Sequence, residues 1–101
     1  MEKTIKHALV LDPIDNVCIL LSDTGKQDTV ILSDAEGPIH LTETVRFGHK
    51  AALKPIKTGD EIIKYGHRIG VATKNINPGE WVHLHNMKSV LDPDFQKRIE
   101  Q

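Results

Sequence analysis

The sequence predicts an all-β fold. Apolar residues, chiefly Val, Ile and Leu, come in short runs of the length typical of strands. Glycine, proline and other turn-forming residues separate these runs. In addition, no long segment carries an apolar stripe at helical spacing. We therefore expect a single all-β domain that extends over residues 1–101.

Eight segments are expected to be strands. In chain order they are Ile5–Leu11, Asn16–Ser22, Asp28–Leu32, Ile39–Val45, Ala51–Leu53, Glu61–Tyr65, Arg68–Thr73 and Trp81–Asn86. The second segment is apolar on both faces, which is typical of a strand covered on both sides. It should therefore lie in the middle of its sheet.

Turn-forming pairs and triplets separate the predicted strands. They are Asp12-Pro13, Thr24-Gly25, Gly37-Pro38, Thr58-Gly59-Asp60 and Asn77-Pro78-Gly79. After the last strand, residues 88–101 are expected to form a tail or a short helix. A helix over Asp94–Gln101 could begin behind Asp92-Pro93, but the segment has a single Ile and many charges, so a frayed or partner-bound tail is an equal alternative.

Composition excludes several classes of function. The chain has 101 residues, a net charge of −1 and no long run of one sign, so no basic stripe predicts nucleic-acid or anionic-membrane binding. No apolar run is long enough to span a membrane, and we expect a cytoplasmic protein. Cys18 is the single cysteine and lies in an apolar run, so we expect a buried side chain rather than a reactive thiol.

A weak internal repeat relates Ala51–Gly66 to Val71–Asn86 with an offset of twenty residues. The identical pairs are Ala52 with Ala72, Lys54 with Lys74, Ile56 with Ile76 and Gly59 with Gly79. Each copy contains an Ile-x-x-Gly-acid turn followed by a predicted strand. The sequence leaves open whether this is a true pseudo-symmetry or chance.

The segment Gly79–Asn86 places two histidines one residue apart on a predicted strand. Side chains alternate between the faces of a strand, so His83 and His85 should share one face with Trp81. Their Cα atoms would lie about 7 Å apart, a spacing at which two imidazoles can bind one metal or one anion. The alternative is a merely polar strand face.

Two further polar clusters combine an aromatic residue with cationic groups. They are Phe47-Gly48-His49-Lys50 and Lys64-Tyr65-Gly66-His67-Arg68. Glycines let a backbone approach a ligand, lysines supply compact charges, and imidazoles titrate near neutral pH. Taken singly, each cluster is more often an exposed loop or a solvated edge.

Together, the three clusters resemble a known family in order and spacing. The matching stretches are Gly48–Leu53, Gly59–Gly66 with Ile69-Gly70, and Gly79–Asn86, and Asp15-Asn16-Val17 resembles the family's opening. They resemble the small subunit or N-terminal module of the altronate/galactarate dehydratase group, a SAF-type domain with a β-clip fold. Small subunits of sulfolactate sulfo-lyases, which eliminate sulfite, are similar too. Residues Gly25–Thr44 align with nothing in the family, and His67 stands where relatives carry other residues.

The resemblance implies a carbon–oxygen lyase, a hydro-lyase subunit that is inactive without a large dehydratase subunit and acts on a sugar acid. It suggests iron(II) or another divalent metal as the cofactor. The expected roles are metal binding for His83 and His85, acid–base catalysis for His49 and His85, and substrate binding for Lys50, Lys64, Tyr65 and Asn86. Homo-oligomer formation stays open. The alternatives are a sulfolactate sulfo-lyase-type small subunit and a non-catalytic SAF binding module.

Overall fold

A computed structural model describes residues 4–33 and 37–90 of the chain and confirms the all-β prediction. The described residues form nine strands: β1 (Ile5–Leu9), β2 (Val17–Leu20), β3 (Thr29–Leu32), β4 (Pro38–Ile39), β5 (Lys50–Ala52), β6 (Glu61–Lys64), β7 (His67–Ala72), β8 (Trp81–Val82) and β9 (Met87–Ser89). None of the described residues lies in a helix, so this part of the chain contains no helix that could cross a membrane.

The strands form two curled sheets. The larger sheet has the order β4-β3-β1-β2-β5-β8, and the smaller has the order β6-β7-β9. Strands β1 and β3 pair in parallel, whereas the other pairs are antiparallel. Strand β2 lies inside the larger sheet, as its two apolar faces predict. Cys18 is fully buried there, and burial raises the pKa of its thiol to about 11, which keeps it protonated and unreactive.

The larger sheet has a core on each face. On one face Cys18, Leu20 and Val30 pack with their neighbours in one apolar cluster. On the other face Val17 and Val82 pack beneath the smaller sheet in a second cluster. Because β2 contributes to both clusters, its side chains are buried on both faces.

Part of the second face stays uncovered. We name it the open face and define it by the outward side chains of β1 and β3 and the residue after β2: Ile5, His7, Leu21 and Ile31. The side chains of Ile5, Leu21 and Ile31 are 67%, 43% and 39% exposed. His7 pairs with Ile31 across the sheet, and the Leu21 N–H donates to the His7 carbonyl oxygen. An apolar sheet surface of this kind is typical of a contact site.

Two predicted strands are wrong over most of their length. In the segment Ile39–Val45, only Ile39 lies in a strand, and Val45 makes an isolated bridge to Thr24. The segment Trp81–Asn86 is a strand only as far as Val82. Conversely, Met87–Ser89, partly within the predicted tail, pairs with β7 as β9. The predicted helix over residues 94–101 lies outside the described residues.

The internal repeat is a true pseudo-symmetry. Ile56 and Ile76 pair with each other, each backbone N–H donating to the other's carbonyl oxygen at 2.9 and 2.7 Å. In the turns that follow, Gly59 and Gly79 have φ values of 91° and 87°. The Gly59 N–H donates to the Ala72 carbonyl oxygen, and the Gly79 N–H donates to the Ala52 carbonyl oxygen. The alanine of each copy therefore anchors the turn of the other.

We call such a reciprocal backbone pairing a crossing. A second crossing lies earlier in the chain, where the sequence shows no repeat. Thr24 and Val45 exchange backbone hydrogen bonds of 2.9 and 2.8 Å. The turn after Val45 contains Gly48 at a φ of 81°, and its N–H donates to the Leu20 carbonyl oxygen. This turn leads directly into His49 and β5. The backbone pattern is conserved between the crossings although the side chains differ.

The two equivalent glycines offer a matched test of this architecture. A Cβ at Gly59 would meet no atom within 4 Å, whereas a Cβ at Gly79 would lie 2.4 Å from the His40 carbonyl oxygen. Gly59→Ala should lower the free energy of unfolding by about 1–2 kcal/mol, the cost of a positive φ. Gly79→Ala should cost more, because backbone must also move. Urea unfolding of both variants measures the difference, and equal losses would contradict the close approach of the His40 segment.

Candidate functional site

Two separate parts of the chain bring most of the predicted site residues to one edge of the larger sheet. The Gly48 turn places His49 and Lys50 at the start of β5. Strand β8 pairs directly with β5, Lys50 opposite Val82 and Ala51 opposite Trp81. The turn after β8 carries His83 and His85. The pairing of β5 with β8 thus joins two clusters that are more than thirty residues apart in sequence.

The His83-x-His85 segment is a turn and not a strand. The Asn86 side chain causes this: its Oδ1 accepts the His83 backbone N–H at 2.9 Å, and its Nδ2 donates to the Trp81 carbonyl oxygen at 2.8 Å. The Met87 N–H also donates to the His83 carbonyl oxygen. Asn side chains often bond to nearby backbone in this way and compete with strand pairing. The prediction that His83 and His85 lie on a strand is therefore wrong, and strand alternation does not set the direction of their side chains.

The imidazoles nevertheless lie close together, because they gather around the Trp81 indole. The His83 ring stacks on it with centroids 5.3 Å apart and an interplanar angle of 9°. The His85 and His49 rings lie 4.8 and 5.7 Å from it. His49 and His83 also contact each other, with centroids 5.5 Å apart. We name His49, Trp81, His83 and His85 the indole cluster.

Arg46 and Trp81 line a cleft beside the histidines, but the sequence did not predict a site role for either of them. A cleft of about 280 Å³ beside the indole cluster is lined by Thr44, Arg46, His49 and Trp81. Trp81 was expected only to share a face with the histidines, and Arg46 was not singled out. The available signal was their position: Arg46 precedes the Phe47–Lys50 cluster, and Trp81 begins the Trp81–Asn86 segment.

The site is electrostatically positive. Burial lowers the pKa of Lys50, and the nearby Lys64 charge lowers it further. Burial also lowers the pKa of His83, with added effects from Lys50, His49 and His85. These shifts show that the two lysines and the imidazoles lie near one another. A bound anion would relieve the repulsion between them, so the chemistry of the site suits a carboxylate or sulfonate.

The structure gives two predicted substrate-binding residues different surroundings. Asn86 is 4% exposed and both ends of its amide bond to the backbone, so it orients the turn. Tyr65 is 64% exposed at the tip of the β6–β7 turn, with a φ of 58°. It makes no ring contact with the indole cluster in the part of the chain that the structure describes.

The imidazoles do not by themselves form a metal centre. Among residues 4–33 and 37–90, no three His, Cys, Asp or Glu side chains are grouped so that they could hold a metal ion. In addition, the Nδ1 atom of His49 already accepts a hydrogen bond from the Trp81 indole. Metal sites in proteins usually have at least three protein ligands. The metal prediction for His83 and His85 therefore requires ligands from outside the described residues.

Comparison with known proteins identifies relatives of this chain. Residues 6–90 match the model of the altronate/galactarate dehydratase SAF domain. The chain is 39% identical over 87 residues to an altronate dehydratase of Bacillus subtilis. The aligned region covers 86% of this chain and 17% of that enzyme. It is 36% identical over 91 residues to an altronate dehydratase of Escherichia coli. This second alignment covers 82% of this chain and 18% of that enzyme.

A different relative is matched over almost its whole length. The alpha subunit of (2R)-sulfolactate sulfo-lyase from Paracoccus pantotrophus is 37% identical over 73 residues, which covers 72% of this chain and 94% of that subunit. In contrast, the chain spans less than a fifth of the length of the altronate dehydratases that it matches. The matching region is thus a segment of a long enzyme in some relatives and a separate subunit in another.

The charge of Lys50 should control the protonation of His83. We expect Lys50→Met to raise the pKa of His83, because the lysine charge disfavours the imidazolium form, while burial of the ring would keep the pKa below its usual value. An NMR pH titration of the His83 ring protons measures this shift. Lys74→Met, at an exposed position, is the matched control and should leave the titration unchanged. An unchanged His83 titration in Lys50→Met would contradict the arrangement.

Proposed function

The chain belongs to the altronate/galactarate dehydratase SAF-domain family, and on that basis we propose that it is the small component of a sugar-acid dehydratase. In this proposal it supplies one wall of the active site to a much larger catalytic region. The observation that carries the proposal is the indole cluster beside Lys50 and Lys64. A non-catalytic SAF module would have no need to gather three imidazoles and two lysines at one sheet edge.

The proposed reaction fits the charge of this site. Dehydration of a hydroxy acid removes the proton next to the carboxylate and expels the hydroxyl group from the neighbouring carbon as water. Negative charge builds up on the substrate carboxylate during proton removal, and fixed positive groups stabilise it. We assign Lys50 and Lys64 to the carboxylate, and Arg46 to a further anionic or polar group in the cleft. His83 and His85 face the reacting atoms from the β8 turn.

We propose that most of the catalytic apparatus lies in the larger region. Among the described residues no three metal-binding side chains are grouped, so iron(II) or another divalent metal would be held mainly by the partner. The open face gives that partner a place to bind. Lys50 pairs with Ile19 of β2, on the same side of the sheet as the open face. A protein that covers the open face would therefore come close to Lys50.

A sulfo-lyase small subunit is the second candidate. The alpha subunit of the Paracoccus sulfolactate sulfo-lyase matches this chain over 94% of its own length, which favours a separate small subunit. Sulfolactate carries a sulfonate and a carboxylate, and both would suit the same positive site. The two candidates differ in the group that leaves, water or sulfite, so product analysis distinguishes them.

A chimaera tests the proposed function. We replace the matching segment of Bacillus subtilis altronate dehydratase with this chain and assay dehydration of altronate and galactarate and release of sulfite from sulfolactate. The chimaera should act on one of these acids, whereas deletion of the segment should abolish turnover. In the chimaera, Lys50→Met should lower kcat/KM by about 10- to 100-fold, as expected for a lost hydrogen bond to a charged group. Lys74→Met should have no effect.

The same chimaera tests the metal proposal. We expect His83→Ala/His85→Ala to reduce turnover while the metal content stays unchanged, because the larger region holds the ion. Loss of metal from this double variant would instead restore the two histidines as ligands. A well-folded chimaera that turns over none of the three acids, beside an active native enzyme, would contradict the proposed function.

The open face can be tested separately by supplying this chain in trans. The Bacillus subtilis enzyme without its matching segment is titrated with this chain, and activity is measured. Ile31→Glu should raise the concentration of the chain needed for half-maximal activity by about tenfold or more, since a charge would be buried on binding. Ile14→Glu changes an isoleucine in the loop after β1 that is even more exposed than Ile31, and this variant should bind normally. Equal titration curves would place the contact elsewhere.

A further inference from the structure

We infer that Trp81 is a positioning residue that fixes the proton of neutral His49 on Nε2. His49 would then present an N–H donor, and not a lone pair, to the cleft. The tautomer is a property of this chain alone. Its use in the reaction rests on the function proposed above.

One hydrogen bond fixes the tautomer. The Trp81 indole Nε1 lies 3.2 Å from the Nδ1 atom of His49. An indole N–H is a donor only, so the His49 Nδ1 must be the acceptor and must carry a lone pair. A neutral imidazole has one ring proton, and this proton is therefore on Nε2.

Both partners of this bond are held in place. The Trp81 backbone N–H donates to Glu43 Oε2 at 3.1 Å, and its carbonyl oxygen accepts the Asn86 Nδ2. The indole also packs against the core cluster that contains Leu20. The His49 N–H donates to the Arg46 carbonyl oxygen, and the His49 carbonyl oxygen accepts the Leu20 N–H. The bond thus joins two anchored segments and is not a contact between mobile surface side chains.

The tautomer restricts what His49 can do. With its proton on Nε2, that atom can donate a hydrogen bond to a carboxylate or hydroxyl oxygen of a substrate. It cannot bind a metal or accept a proton, because it has no free lone pair. Neutral His49 is also a poor general acid, since loss of the Nε2 proton would leave an imidazolate. Protonation of Nδ1 would break the bond to Trp81.

His49 therefore differs from the other imidazoles of the indole cluster. We assign it the role of a hydrogen-bond donor that holds an anionic oxygen in the cleft lined by Arg46. The acid and base steps then belong to other groups, such as His85 or residues of the larger region. A hydrogen bond of ordinary strength favours the accepting tautomer by roughly three- to tenfold.

NMR spectroscopy of the full chain, labelled with ¹⁵N at histidine, tests the tautomer directly. At a pH where the rings are neutral, the two-bond ¹H–¹⁵N correlations of His49 should show an unprotonated Nδ1 and a protonated Nε2. His49→Gln identifies the resonances. Trp81→Phe should shift both nitrogen signals towards the averaged values of a tautomer mixture. The exposed His7 and His40 should not change.

A sulfur analogue of tryptophan provides a second variant in case Trp81→Phe does not fold. Benzothienylalanine at position 81 keeps the shape of the indole but lacks the N–H, and it should produce the same shift. A protonated Nδ1 in the wild-type chain, or an unchanged Nε2–H tautomer in the folded analogue, would overturn the inference. Because no substrate is present, this result is independent of whether the chimaera turns over a sugar acid.

Discussion

The reciprocal backbone pairing of Ile56 and Ile76 is the constraint on which the site depends. Each isoleucine is buried and is followed by a glycine turn that starts a strand. One turn leads into β6, which ends at Lys64, and the other leads into β8, which carries Trp81. The crossed bonds from Gly59 to Ala72 and from Gly79 to Ala52 fix the two turns against each other. Because the turns are fixed, the two strands leave the crossing in defined directions, so that Val82 pairs with Lys50 on β5 and Lys64 lies near enough to lower the pKa of Lys50.

Buried polar side chains decide the local course of the chain around this frame. Asp15 is 3% exposed, and its carboxylate accepts the N–H groups of Leu11 and Asp12 and, from the other sheet, of Gly66. Asn16 bonds to the backbone of Glu61 and Ile63 and so ties the start of β2 to β6. These groups satisfy backbone atoms that no strand partner reaches. They hold the Lys64 end of β6 beside the larger sheet.

The proposed active site combines positive charge with few acidic groups, which suits one half of a shared site. Burial and the Lys64 charge lower the pKa of Lys50, burial and the Lys50 charge lower the pKa of His83, and the His83 ring stacks on the Trp81 indole. Electrostatic stabilisation of this kind depends on groups that are already in place before the reaction. The larger region present in the altronate dehydratase relatives would then bind at the open face and contribute the remaining catalytic groups.

The sequence by itself determined the fold class, the central strand β2 and the buried thiol of Cys18, and it singled out His49, Lys50 and His83, which the fold brings near one another. Apolar runs and glycine turns act locally, so their pattern predicts strands and the places where they end. Only the tertiary structure decided that the repeat is a crossing, because backbone pairing between Ile56 and Ile76 leaves almost no trace in side-chain type. It also decided that His83 and His85 lie in a turn. The Asn86 amide can replace a strand partner only because Trp81 lies on the edge strand of its sheet. The alternation of apolar and polar residues does not show which strand is at an edge.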